Sequence, residues 1–262
     1  MHLRPFSWLR NVTRHQISTT AEQEIMLKRA AQISNQSLTD FIVHSACQAA
    51  ELAIQDQRQF FVSGREHLRM RDLQDRNPVA TDALRHLLSH KRPWEDVSAL
   101  QPPAPLLTEH AILQFESGKR SMDDWLAHRA RQAQTRGLAK TFVVCVQQRV
   151  VGYFSLSVGQ IDSSELPGRG NLSRDAFPIP VVILTRLAID KLYQGKGLGS
   201  ALLQEAMHRT LAISSQAGVE ALLTQPLDEK AAQFYQSHGF VQSPAAYKQL
   251  LVMIKDLESV LG

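Results

Sequence analysis

Cysteine is scarce: Cys47 and Cys145 are the only two among 262 residues. They lie far apart in apolar runs, which argues for buried thiols in a reducing compartment rather than a disulfide framework. No apolar stretch approaches the roughly 20 residues that span a bilayer, and the N-terminus lacks a signal-peptide core. The expected location is therefore the cytoplasm. Metal ligands are equally thin. His86 and His90 stand four apart, but no third ligand lies nearby and no His-Glu-x-x-His occurs, so no metal is expected. Neither sign of charge dominates: the net charge is +4, which permits nucleic-acid contact without demanding it. A hydrophobic content of 44% is that of a globular chain, long enough for one or two domains with a real core.

What is present concentrates between Val181 and Ser200, VVILTRLAIDKLYQGKGLGS. Its first half is β-branched and apolar, as in a buried strand. Its second half places Gly195, Gly197 and Gly199 at alternate positions, and an apolar helical run follows at Ala201. Strand, glycine turn and helix in that order make an anion site. The first amides of a helix lack intrahelical partners, and glycine lets a phosphate approach without meeting a Cβ. The turn nearly fits a dinucleotide fingerprint, but Ser200 holds the last position and no ribose-binding acid follows. A P-loop is absent. Written as Gln194-x-x-Gly197-x-Gly199, it resembles the acetyl-CoA diphosphate loop of the GNAT acetyltransferases.

The N-terminal part reads as a short strand at Asn11 to Ser18 and two helices. The pair Thr19-x-x-Glu22 predicts a capping box for the first helix, and Ser37-x-x-Asp40 opens the second. Such a unit cannot form a core alone and must dimerise. That order, with the phrase SLTDFIVHSA, resembles the ribbon-helix-helix antitoxins of bacterial toxin–antitoxin modules. The resemblance implies a two-stranded ribbon, shared between two copies, that enters the DNA major groove. It places Val12, Arg14 and Gln16 outward, with Arg14 set for guanine and Gln16 for adenine of operator DNA. The inward positions Thr13, His15 and Ile17 depart from the family, having one apolar residue in three. The alternative is a dimerisation module with a solvated ribbon.

Helices opening at Ser63-x-x-Glu66 and Thr81 carry too few apolar residues for a core of their own. They read as segments that fold on a partner surface, as the corresponding antitoxin region does on its toxin. A proline-rich linker follows, semi-extended and short, which leaves open whether this clasp closes on its own chain or reaches a neighbouring one, the second giving chains or rings of dimers. The expected domains are 1–55, 56–92, a linker over 93–105, and 106–262.

The last domain shows a strand-like AILQFES, a helix from Ser121-x-x-Asp124 to about Arg136, and strands TFVVCVQ and VVGYFSLSV. The central stretch comes next, then a strand at Val219, a helix from Asp228 to His238, and a closing strand around Tyr247 to Ile254. The fold class is α/β, a mixed sheet flanked by helices, behind an α-rich N-terminal domain. The phrases FVVC-x(6)-GYFSL, PIPVVILTRLAID-x(4)-GKGLG and AAQFYQSHGF resemble the GNAT toxins of type II toxin–antitoxin modules, over about residues 105 to 255. The chain thus resembles an antitoxin and its toxin fused.

The resemblance implies an N-acetyltransferase that uses acetyl-CoA on the amino group of aminoacyl-tRNA, restrained by the N-terminal half. It puts the diphosphate on Gln194, Gly195, Lys196, Gly197, Leu198, Gly199 and Ser200, and the pantetheine arm along Leu187, Ala188 and Ile189. Lys196 adds charge there or is simply a solvated loop lysine. Tyr235, in the Phe-Tyr-x-x-x-Gly-Phe phrase, is the expected catalytic residue, protonating the departing thiolate with a phenol near pH 10. Asp190 reads as a turn or cap residue. Arg129, Arg136, Arg174 and Arg186 are the expected tRNA contacts. A different function is also open, an autorepressor whose acetyltransferase half is inactive or structural.

Overall fold

The structure, a computed structural model, describes residues 15–95, 99–163, 177–245 and 248–261. Arg14 and Arg174 lie outside them. The chain forms two compact units, Met1–Ala49 and Ala50–Gly262. No helix among the described residues is long and apolar enough to cross a membrane.

The first unit holds helix α1 (Ala21–Ile33) and most of α2 (Leu38–Gln55). The capping box of α1 is one residue later than expected. Thr20 accepts from the Gln23 N–H at 3.3 Å, and Gln23 Oε1 accepts from the Thr20 N–H at 2.9 Å. Adjacent threonines, each with Glu or Gln three residues on, offer two registers that spacing alone cannot separate. Ser37 accepts from the Asp40 N–H as expected. Residues 15–18, the described part of the expected ribbon, are not in a strand, and Gln16 is exposed. A ribbon strand needs a second strand for its ladder, and none among the described residues pairs with residues 15–18. Cys47 is exposed rather than buried; Cys145 is buried, which raises its thiol to about 11.

The second unit is built on one mixed sheet. Its elements in chain order are β1 (Gln59–Val62), α3 (Gly64–Asp75), α4 (Asp82–Ser89), β2 (Ala104–Pro105), α5 (Arg120–His128), α6 (Ala130–Thr135), β3 (Lys140–Val146), β4 (Arg149–Ser163), β5 (Ile179–Ile189), α7 (Leu198–Ser214), β6 (Ala221–Thr224), α8 (Glu229–Ser237), β7 (Val241–Gln242), β8 (Leu250–Met253) and α9 (Ile254–Leu261). The strands lie in the order β2-β3-β4-β5-β6-β8-β7, and β1 adds to β4. The β5–β6 and β1–β4 pairs are parallel and the others antiparallel. Along β5, Val182 and Leu184 enter the cluster packed by α4, α7 and α9, whereas Val181 and Ile183 enter the one packed by α3. Period-two alternation in a run that is apolar on both sides puts a core on each face of the sheet.

Residues 57–95 pack on the acetyltransferase-like half of their own chain. Leu84, Leu87, Leu88 and Trp94 are buried in the same cluster as Leu202, Tyr235 and Phe240. Lys255 Nζ donates to the Gln74 carbonyl at 2.6 Å, and Gln204 Nε2 to the Leu88 carbonyl at 3.0 Å. The last carbonyls of α3 and α4 are thus satisfied by side chains of the other half. Of the two arrangements the sequence leaves open, a clasp in cis or one thrown onto a neighbour, this is the first. The proline-rich stretch is no spacer: Leu100 bridges Val146, and β2 lies on the β3 edge, where a proline loses no ladder bond.

Three element expectations differ. AILQFES is not a strand; only Ala111 bridges Arg149. The helix expected from Ser121 begins at Arg120 without a side-chain cap, and Asp124 pairs with Arg120 at 3.4 Å instead of with Ser121. It also breaks at Arg129, so α5 and α6 are separate. The strand expected around Tyr247 to Ile254 is β8, but helix α9 follows it. Ile254 and Leu257, three apart, continue the apolar run of β8, so the change of period is masked until the chain turns.

Candidate active site

β5 pairs with β4 as far as Ile189, but with β6 only as far as Leu184. At the fork Thr224 Oγ1 donates to the Leu184 carbonyl at 3.0 Å. Pro226 follows, where a strand could not donate further. The stretch Thr185 to Ile189 therefore has no strand on its β6 side among the described residues. A cleft of about 470 Å³ opens there, with Leu187, Ala188 and Ile189 on one wall and Leu227, Ala231 and Tyr235 on the other.

The cleft floor is the start of α7. Gly195 and Gly197 have φ of +73° and +78°, and a Cβ on either would meet nothing within 4 Å. The left-handed backbone makes glycine the residue of choice there, and the space beside it is open for a ligand. Gly197 is the N-cap of α7 and brings no side-chain cap. The first-turn amides of α7 thus lack a side-chain acceptor, as a diphosphate site requires. A cofactor with an anionic diphosphate and an extended amide arm fits this floor and this strand edge. Gln194, Gly195, Gly197, Gly199 and Ser200 all line the cleft. Gln194 acts as a brace, with its Nε2 donating to the carbonyls of Ile189 at 2.9 Å and Ser117 at 2.8 Å. Two of the expected residues do not line the cleft. Lys196 folds back to donate to the Leu192 carbonyl at 2.8 Å, and the Leu198 side chain is buried in the core. Asp190 caps the turn Lys191–Tyr193, accepting from the Leu192 N–H at 3.0 Å.

Tyr235 stands on α8, whose N-cap Asp228 accepts from the Ala231 N–H at 2.8 Å and pairs with Lys119 at 2.7 Å. It is nearly buried, with its ring against Phe234 and Phe240 at centroid distances of 5.3 and 5.4 Å. Burial pushes its phenol up to about 12, and a hydrogen bond with Thr224 offsets part of that. The group is a weaker acid than expected and a permanent hydrogen-bond donor at any physiological pH.

A second cavity, of about 440 Å³, is lined by Arg58, Trp125, His128, Arg129 and Arg136, and it shares Thr185 with the cleft. Arg129 and Arg136 are brought together despite the break between α5 and α6. Arg186 lines the cleft, but its side chain is fully buried, and its Nη2 donates to Asp56 at 2.9 Å. Its guanidinium lies over the Trp125 ring at 4.7 Å. Burial lowers its affinity for the proton, and Asp56 works against that shift. Sequence reasoning did not single out Trp125, Thr185 or Asp56 for this site. No local spacing distinguishes them.

Residues 14–93 match the family described as antitoxin TacA 1-like, and residues 137–242 the acetyltransferase (GNAT) domain. A tRNA-acetylating toxin of Mycobacterium tuberculosis is 34% identical over 166 residues, which cover 63% of this chain and 99% of that protein. The antitoxin TacA1 of Salmonella typhimurium is 39% identical over 74 residues, 28% of this chain and 77% of its own. Among solved structures, the crystal structure of AtaTR bound with acetyl-CoA superposes with a TM-score of 0.56 at 26% identity, covering 62% of this chain and 98% of that one.

Proposed function

We propose, for a chain that belongs to the tRNA-acetylating GNAT toxins and carries a TacA 1-like antitoxin in the same polypeptide, that it transfers acetyl from acetyl-CoA to the α-amino group of aminoacyl-tRNA and so blocks translation. The observation that carries this reading is the forked β5 edge running into a glycine-opened, uncapped helix, with Tyr235 on the same cleft. When bound, acetyl-CoA supplies an activated acetyl thioester. The α7 amides hold its diphosphate, and the Leu187 to Ile189 edge aligns its amide arm. An N–H of that edge would hold negative charge developing on an acyl oxygen. The Tyr235 hydroxyl donates to the departing sulfur. Its high proton affinity makes it a hydrogen-bond donor and relay, and the net proton comes from the acceptor amine. No general base is needed, since an α-amino group is partly neutral near pH 7.7–8.0. Arg129 and Arg136, with Arg174, contact the RNA.

The first unit supports a second part of the proposal. Ile25, Met26, Ile33 and Val43 are exposed on its helices, which suits self-association through a shared ribbon. Paired in that way, the ribbon offers Arg14 and Gln16 to operator DNA.

The deciding experiment follows label from acetyl-CoA onto a panel of charged tRNAs, with the whole chain and with residues 105–262. The fragment is expected to acetylate at least one charged tRNA, and Tyr235→Phe to lower that rate roughly 10²-fold or more. A folded fragment that binds coenzyme A yet leaves every charged tRNA unmodified refutes the assignment.

A further inference from the structure

Resting on that reading, the geometry points to a plug built into the chain: the Asp56 carboxylate holds Arg186 in the place of a backbone phosphate of the acceptor RNA. The guanidinium that would meet the RNA is occupied in this way, while the cofactor cleft stays free of that span among the described residues. Asp56 belongs to the antitoxin-like span, 130 residues from its partner. Its Oδ1 accepts from Arg186 Nη2 at 2.9 Å, and together with Arg58 it lines the basic cavity that holds Arg129 and Arg136. The cofactor cleft, by contrast, is lined only from Ser117 onward among the described residues. Thr185 faces both cavities, so the Asp56–Arg186 pair sits where donor and acceptor must meet.

The pair is poorly matched, as a removable plug should be. Arg186 is a planar fork with five donors, suited to two oxygens at once. Asp56 engages one nitrogen, Nη1 makes only a 3.4 Å contact with the Thr185 carbonyl, and the buried Nε has no hydrogen-bond partner. A phosphate can take two of these nitrogens where the carboxylate takes one. The plug itself is under tension. Gln55 is 5% exposed, and neither polar atom of its amide has a hydrogen-bond partner, so withdrawal would return both to water. Asp56 is half exposed and needs little further solvation to leave. Leu52, packed on the cluster that contains Trp125, and the Arg58 carbonyl, which accepts from the Gln160 N–H at 2.9 Å, hold the two ends of the segment. Gly159 makes room for that crossing, because a Cβ there would lie 2.3 Å from the Arg58 carbonyl oxygen.

The test uses the full chain as wild type, Asp56→Asn and Asp56→Glu. Coenzyme A binding is measured by calorimetry, and charged-tRNA binding by fluorescence anisotropy at fixed salt. All three proteins are expected to bind coenzyme A within about twofold of one another. Asp56→Asn should bind tRNA at least tenfold more tightly than wild type and acetylate it, whereas Asp56→Glu, which keeps the charge, should stay closed. Adding Arg186→Gln to Asp56→Asn should cancel the gain. Unchanged tRNA affinity in an Asp56→Asn protein that still binds coenzyme A overturns the plug and leaves the enzyme reading standing. Loss of coenzyme A binding in Asp56→Asn alone also overturns it, making the pair structural. Failure of all three proteins to bind coenzyme A sinks both readings.

Discussion

Tyr235 shows how burial changes what a side chain can do. An exposed phenol begins to ionise near pH 10, but this one is held protonated until about 12. Its donor form is nearly complete up to about pH 10 and is lost as pH rises through about 12. The acceptor amine works the other way, becoming a nucleophile as pH rises through about 8. Acetyl transfer should therefore climb from pH 6.5 to 8.5 and stay flat to pH 10. A descending limb near pH 9 in the initial rates would remove the phenol from the role assigned to it. The glycines were legible because few other residues suit a left-handed turn. The bracing by Gln194 was not, since its partners Ser117 and Ile189 are set by the fold.

At the scale of elements, α4 carries the attachment of the antitoxin-like span. Leu84 is 1% exposed, and its side chain rests on Gly239, where a Cβ would approach to 2.6 Å. Gly239 ends the helix that bears Tyr235, and φ of +93° there also favours glycine. Leu84→Ala should cost about 2–5 kcal/mol, read from denaturant unfolding of the whole chain. A loss below 0.5 kcal/mol would mean that α4 is not part of this core. The sparse apolar residues between Ser63 and His90 showed that these helices need a foreign surface. They did not show that the surface is the same chain's.

For the whole molecule, the proposed self-association rests on apolar residues exposed in the N-terminal unit. Ile33 is 79% exposed and Ile25 68%, on helices that bury little else. Mass photometry at micromolar concentration should find dimers. Those dimers should shift upstream DNA at moderate salt, with the shift weakened in Arg14→Ala. Monomers alone, or a shift indifferent to Arg14, would remove the ribbon proposal. Because the clasp closes in cis, assembly is expected to stop at the pair instead of growing into rings.

The sequence by itself determined whatever depends on neighbours a few residues apart: the helix caps at Ser37, Ser63 and Thr81, the two-faced strand β5, the glycine turn and the helix bearing Tyr235. Those features rest on backbone sterics and side-chain period, which act locally. Only the tertiary structure decided that β5 and β6 part at Leu184, that Arg186 is buried against Asp56, and that α4 completes the core under Tyr235. Each of these depends on which distant surfaces exclude water together, and burial has no signature in local spacing.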